Sequence, residues 1–132
     1  MTDSRYRKNR GCIYSLKYHL VWCPKYRRSV LVGDIARDLG VLLRDKADRL
    51  GIDVEALEIM PDHVHIFVSA DPTDAPQRIA NQFKGYTSRV LRDRYPDLLK
   101  MPSLWSRSYY VGSVGFVSDS TVKKYIANQR GK

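Results

Sequence analysis

Two histidines separated by one residue, His63 and His65, are the pair in this sequence whose spacing most directly suits chemistry. They stand in Met60-Pro61-Asp62-His63-Val64-His65-Ile66-Phe67-Val68, where Pro61-Asp62 reads as a turn and residues 63–68 as a strand rich in β-branched and aromatic side chains. Successive side chains of a strand point to opposite faces, so His63, His65 and Phe67 share one face and Val64, Ile66 and Val68 the other. The two histidine Cα atoms then lie roughly 7 Å apart, and their ring nitrogens can converge on one metal ion. On this spacing alone the pair is equally well two polar residues on the solvated face of a half-buried strand.

A pair of neutral imidazoles needs a third ligand and water to hold a divalent ion. Near the C-terminus, Val122, Tyr125, Ile126 and Gln129 fall at i, i+3, i+4 and i+7, on one face of a helix expected over residues 119–129 behind the capping cluster Ser118-Asp119-Ser120. Gln129 offers an amide oxygen, and Tyr125, one turn earlier, a phenol. A phenol of pKa near 10 is a poor nucleophile until its proton is removed or the electrophile is polarised. A metal on the histidine pair would polarise a phosphate oxygen. The same spacing also suits a core aromatic at Tyr125 that docks the last helix, and a solvated Gln129. His19 has two readings as well: a hydrogen-bonding support for a metal ligand, or a residue that fills its strand.

The elements that must position these residues follow from periodicity. Residues 11–23 read as one long strand, with Tyr14, Leu16, Tyr18, Leu20 and Trp22 on one face and Ser15, Lys17 and His19 on the other. Residues 34–50 read as a core-covering helix with Asp34 as N-cap and Gly51 as its stop. Residues 53–60 form a second strand that turns directly into the histidine strand. A second helix is expected over 74–95, closed by Pro96; an irregular stretch over 97–107, anchored by Trp105; and a last strand over 108–114. The order strand, helix, strand, strand, helix, strand is the split βαβ arrangement. The fold class is therefore α+β: a ferredoxin-like (RRM-like) antiparallel sheet with two helices on one face, plus the C-terminal helix that carries Tyr125. The first and third strands are its central pair, with His63, His65 and His19 on the open face.

Length and composition fit this outline. A chain of 132 residues, 43% hydrophobic and 28% charged, suits one globular domain. We divide it into a flexible basic arm, residues 1–10, and a single domain, residues 11–132. No apolar run approaches the roughly 20 residues that span a bilayer, so a cytoplasmic protein without a membrane partner is expected. Cys12 and Cys23, at opposite ends of the expected first strand, read as reduced thiols. The 23 Lys and Arg against 14 Asp and Glu give a formal charge of +9 and favour a polyanionic partner, nucleic acid before membrane. Lys25, Arg27 and Arg28 around Tyr26, and Lys84 and Arg89 on the basic side of the second helix, are the expected phosphate contacts.

His63-Val64-His65 together with Tyr125-Ile126-Ala127-Asn128-Gln129 resembles the single-tyrosine HUH transposases, the IS200-like transposases of insertion sequences. The likeness extends to Tyr18-His19-Leu20-Val21-Trp22-Cys23-Pro24-Lys25-Tyr26-Arg27-Arg28, to Phe83-Lys84-Gly85-Tyr86-Thr87-Ser88-Arg89 and to residues 104–115, and covers about residues 11–130. The resemblance implies a DNA transposase. In that reading His63, His65 and Gln129 hold Mg²⁺ or Mn²⁺, and Tyr125 attacks single-stranded DNA at the hairpin ends of a mobile element, forming a 5′-phosphotyrosine and releasing a 3′-hydroxyl that later rejoins the strands. It also implies a homodimer whose tyrosine helix can complete the partner's site, with Gly112 and Gly115 as hinges. Mg²⁺ follows from the family; two imidazoles by themselves suit Mn²⁺, Zn²⁺ or Ni²⁺ better. Exchange of one phosphodiester for another needs no ATP, in keeping with the lack of a Gly-rich phosphate loop. Two rivals are a domesticated relative acting on chromosomal palindromes and a non-catalytic module that binds single-stranded nucleic acid on its sheet.

Overall fold

The structure is a computed structural model that describes residues 7–9, 12–14, 16–113 and 119–132. Strands β1 (Arg7–Asn9) and β2 (Cys12–Tyr14) pair antiparallel as a small ribbon. Strands β3 (Leu16–Trp22), β4 (Asp53–Met60), β5 (His63–Ala70) and β6 (Tyr110–Ser113) form a four-stranded antiparallel sheet in the order β4-β5-β3-β6. Helices α1 (Gly33–Leu50) and α2 (Pro76–Arg94) supply the helical layer, and a short helix α3 (Asp119–Ala127) follows the sheet. This is the expected α+β architecture, with β3 and β5 as the central pair. No helix among the described residues is long and apolar enough to cross a membrane.

Alternation decides what each face carries. Leu20, Trp22, Val64, Ile66 and Val68 point to the helical side and are buried with Leu39, Leu42 and Leu43 of α1 and Ile79, Phe83 and Leu91 of α2. Each such side chain contributes about 1.5–3 kcal/mol of burial. Strand β4 carries a register shift between Val54 and Ala56. Without it Val54 and Leu57, three residues apart, would face opposite sides; with it both pack on the core.

Several expectations need correction. The long first strand is two strands in different sheets, one either side of residue 15: alternation continues across the point where the chain changes partners, so periodicity gives no sign of it. Within the expected arm, Arg7–Asn9 is strand β1, because its backbone pairs with β2; residues 1–6 and 10 lie outside the described residues. Helix α1 is capped by Val32, whose side chain makes no capping bond, and Asp34 instead pairs with Arg37 at 2.9 Å within the first turn. Gly51 does end it, in the left-handed conformation at φ 70°. Asp74 precedes α2, bonded to the Asp71 turn and to Arg78. The stretch expected to be irregular holds a 3-10 turn, Pro96–Lys100. The last strand is shorter than expected, which leaves Ser108 in the loop before it. Beyond Ala127 the last helix tightens into a 3-10 turn, Asn128–Gly131, so Gln129 stands on that turn. Ser118 and Gly115 fall outside the described residues.

The face expected to be open is open only in part. His19, Val21 and Cys23 belong to it and are all buried. Its exposed part lies toward β4, where Glu58 pairs with His65 and Met60 with His63.

Candidate active site

Strand pairing assembles the histidines. In the β3–β5 register Val21 faces His65 and His19 faces Phe67, and paired residues of antiparallel strands share a face. His63, His65, Phe67 and His19 therefore stand together, as alternation requires. The His63 and His65 rings are 4.8 Å apart between centroids and edge to face. His19 stacks on Phe67 at 4.2 Å.

Each histidine of the pair is held through Nδ1. His63 Nδ1 lies 2.7 Å from Asp62 Oδ1, and His65 Nδ1 lies 3.0 Å from His19 Nε2. Among the described residues no hydrogen bond engages either Nε2. Outer-shell partners on one ring nitrogen with the other left free are the arrangement of metal-binding histidines. Burial keeps His65 below its ordinary pKa, helped by His63, and pushes His19 down to about 4, helped by His65. Neutral imidazoles are what a metal requires. Among the described residues no three His, Cys, Asp or Glu side chains form a metal-holding group; an amide oxygen such as that of Gln129, a backbone carbonyl or water is a further donor of the kind a divalent ion accepts. The pair fits a divalent ion on these terms.

Tyr125 and Gln129 form a second cluster, joined by a residue that the sequence reading missed. Ser108 Oγ donates to Gln129 Oε1 at 3.1 Å and lies 3.0 Å from the Tyr125 hydroxyl. Serine has one proton to give, so in this arrangement Tyr125 O–H donates to Ser108 Oγ. Gln129 is only 3% exposed and is no solvated surface residue. Burial, offset in part by the Ser108 hydrogen bond, pushes the Tyr125 phenol up to about 12. Ser108 is itself held by Lys84, whose ammonium donates to the carbonyls of Ser106 and Ser108 at 2.7 and 3.1 Å. Burial brings that ammonium down to about 8.

Two links connect the clusters, since no direct hydrogen bond joins them among the described residues. Tyr110 on β6, opposite Val21, lies 6.0 Å from the His19 ring and 6.2 Å from the Tyr125 ring. Arg27 makes the other link, with Nε on Asp62 Oδ2 at 2.7 Å and Nη1 on the Ile126 carbonyl at 3.3 Å. Although burial pushes it up, hydrogen bonds from His63 and Arg27 and the Arg27 charge together hold the Asp62 carboxyl below its usual range. Arg27 follows Tyr26 in a 3-10 turn, Lys25–Arg27, in which both Tyr26 and Arg27 are left-handed, at φ 59° and 54°. Such a conformation costs on the order of 1–3 kcal/mol per non-glycine residue and persists only where surrounding contacts impose it.

The expected phosphate contacts divide accordingly. Arg27 and Lys84 are committed to internal bonds. Lys25 and Arg28 lie over the exposed Tyr26 ring at 5.2 and 5.9 Å, and Arg89 over Tyr86 at 5.6 Å. Asp62 and Ser108 are the site's unforeseen members; Arg27, expected as a phosphate contact, joins it through Asp62 and Ile126. For Asp62 a signal existed, a carboxylate directly before a candidate ligand; for Ser108 there was none, because its place depends on the loop.

The chain is similar to known proteins over most of its length. Residues 12–129 match the family described as transposase IS200 like. The chain is 40% identical over 129 residues to the ISDra2 transposase TnpA of Deinococcus radiodurans, covering 96% of this chain and 92% of that protein. It is 29% identical over 119 residues to the transposase for insertion sequence element IS200 of Salmonella typhimurium, covering 88% and 78%. The crystal structure of a D. radiodurans transposase superposes with a TM-score of 0.88 at 38% identity, over 96% of this chain and 99% of that one. A REP-associated tyrosine transposase bound to a REP hairpin shares the fold, with a TM-score of 0.57 at 12% identity over 91% and 67%.

Proposed function

The chain belongs to the IS200-like transposase family, and we propose that it cuts and rejoins single-stranded DNA at the hairpin ends of an insertion sequence, with Tyr125 as nucleophile. The observation that carries this reading is the Tyr125–Ser108–Gln129 hydrogen-bonded group. It keeps a half-buried phenol and an amide oxygen four residues apart across the end of α3, in a domain whose central strand presents two imidazoles with free Nε2 atoms. A hairpin is also what the REP-associated protein of the same fold is bound to.

In this reading Tyr125 Oη attacks phosphorus, a P–O bond to tyrosine forms, and the bond to the 3′-oxygen breaks. The 5′-phosphate stays on Tyr125, the phenol gives up its proton to water, and the 3′-oxygen takes a proton from water and leaves as a hydroxyl, so no net proton is gained or lost. Reversal by another 3′-hydroxyl restores a phosphodiester, so one ester is exchanged for another and no nucleotide cofactor is consumed. At neutral pH the phenol carries its proton, as an ordinary phenol does, and burial makes that proton harder to remove. Ser108 Oγ receives that hydrogen bond and fixes where the hydroxyl points. Asp62 and His19 hold the two imidazoles with their Nε2 lone pairs outward. A divalent ion, Mg²⁺ or Mn²⁺, bound by His63, His65 and Gln129, would supply polarisation of the scissile phosphate. Lys25, Arg28 and Arg89 are assigned to the DNA backbone, and the working unit is a homodimer.

The test is covalent capture. Hairpin oligonucleotides from the element's ends, incubated with Mg²⁺ or Mn²⁺, form a protein–DNA adduct that survives denaturation. Tyr125→Phe forms none, and His63→Ala or His65→Ala folds but does not cleave. Cleavage that persists without Tyr125, or that is indifferent to chelation, contradicts the reading.

A further inference from the structure

Arg27 has no part in the steps above, yet its side chain makes two hydrogen bonds beside them. Its left-handed backbone accompanies a guanidinium that runs inward, only 17% exposed, against an Asp62 carboxylate 20% exposed. The two oxygens of that carboxylate are divided: Oδ2 takes Arg27 Nε and Oδ1 takes His63 Nδ1. The other end of the guanidinium reaches the carbonyl of Ile126, the residue after Tyr125. One planar cation thus spans the main chain beside the nucleophile and the carboxylate that orients a histidine.

We propose that Arg27 is a positioning residue that couples docking of the tyrosine helix to the orientation of His63, and that it does not contact DNA phosphate. The inference rests on the reading of His63 as a metal ligand. Its physical basis is the fork. Nε and Nη1 lie in one rigid plane, so holding Ile126 fixes where Nε meets Asp62, and Asp62 in turn fixes the His63 ring with its Nε2 outward. A half-buried, hydrogen-bonded pair is also less screened by solvent than a surface ion pair. When α3 leaves, Arg27 loses one of its two anchors, and the hold on His63 loosens with it. Lysine keeps the charge but cannot span both partners.

The coupling is tested on the full-length chain with Arg27→Lys and Asp62→Asn. Three quantities are compared with wild type: hydrogen exchange of residues 119–131 without metal, Mn²⁺ affinity, and hairpin affinity in EDTA. The expected result for Arg27→Lys is exchange in the terminal helix faster by roughly tenfold and Mn²⁺ binding weaker by about tenfold or more. Hairpin affinity in EDTA stays within about twofold, since no phosphate contact is removed. Asp62→Asn, which cuts the same chain in its middle, moves exchange and Mn²⁺ affinity in the same directions. It carries the comparison alone if Arg27→Lys does not fold. Unchanged exchange in these variants overturns the coupling. So does a roughly tenfold loss of hairpin affinity in EDTA with a shallower salt dependence, which would make Arg27 a phosphate contact. If wild type binds no Mn²⁺, the metal reading of His63 falls, while the exchange comparison still decides whether Arg27 ties α3 to Asp62.

Discussion

His65 Nδ1 lies 3.0 Å from His19 Nε2, and this contact decides which nitrogen of His65 is available to the site. For His65 Nε2 to offer a lone pair, Nδ1 must carry the proton and donate it to His19. His19 must then be protonated at Nδ1, an atom that is buried and has no hydrogen-bond partner among the described residues. A metal bound at His65 Nε2 would therefore select one tautomer of a coupled pair. His19→Ala is expected to weaken Mn²⁺ binding by about tenfold or more, read by Mn²⁺ electron paramagnetic resonance on folded protein. Unchanged affinity would leave His19 only its packing on Phe67.

Ser108 gives a second prediction. Ser108→Ala removes both of its hydrogen bonds and frees the Tyr125 hydroxyl and the Gln129 amide to reorient. Single-turnover cleavage at saturating hairpin should slow by roughly 10–100-fold, the equivalent of about one or two net hydrogen bonds. Hairpin affinity should not change. Ser108→Thr, which keeps the hydroxyl, should recover most of the rate.

Lys84 supplies a pH dependence. Burial brings its ammonium from 10.5 in the unfolded chain to about 8 in the folded one. Between those values the unfolded chain holds the extra proton, so the stability Lys84 contributes rises with pH and is lost as pH falls toward 8. Urea unfolding of wild type and Lys84→Met at pH 7.5 and 9.5 isolates this term. The difference in stability, wild type minus variant, should be more favourable to wild type at the higher pH. A difference that shrinks with pH would mean that Lys84 is held by its carbonyl partners with its charge favoured.

The loop that carries Ser108 depends on Trp105. Its Nε1 donates to Thr87 Oγ1 at 3.1 Å, and its ring meets Trp22 edge to face at 6.0 Å. Trp105→Phe should cost about 1–2 kcal/mol, since Thr87 keeps its own bond to Phe83 but loses a donor. Chemical denaturation measures this, and a smaller parallel loss of cleavage is expected as Ser108 loosens.

How much of this was legible in the sequence varies with the range of the interaction. The histidine pair, the central strands and the two covering helices follow from periods of two and 3.6, which are local. Tyr125 and Gln129 were legible as a pair on one face, but Gln129 was placed on a helix, because spacing cannot tell α from the tighter 3-10 turn that succeeds it. Trp105 was legible as an anchor because a large aromatic in an irregular stretch must be buried somewhere. The break of the first strand was hidden, because alternation persists when a strand changes partners. Arg27 and Lys84 were read as outward cations. Charge in a sequence does not reveal a carboxylate 35 residues away or carbonyls 22 and 24 residues away that take it inward. Ser108 was invisible for the same reason, as its partners are 17 and 21 residues on.

The central claim is that Tyr125 becomes covalently bound to DNA in a metal-dependent step, and locating the bond tests it most directly. After reaction with an end-derived hairpin and Mn²⁺, nuclease and trypsin digestion followed by mass spectrometry should find the residual nucleotide on Tyr125, in the peptide released by cleavage after Lys124 and Arg130. The same digest of protein treated with EDTA should show that peptide unmodified. Nucleotide on another residue, or an unmodified Tyr125 peptide where the hairpin has been cut, would contradict the account.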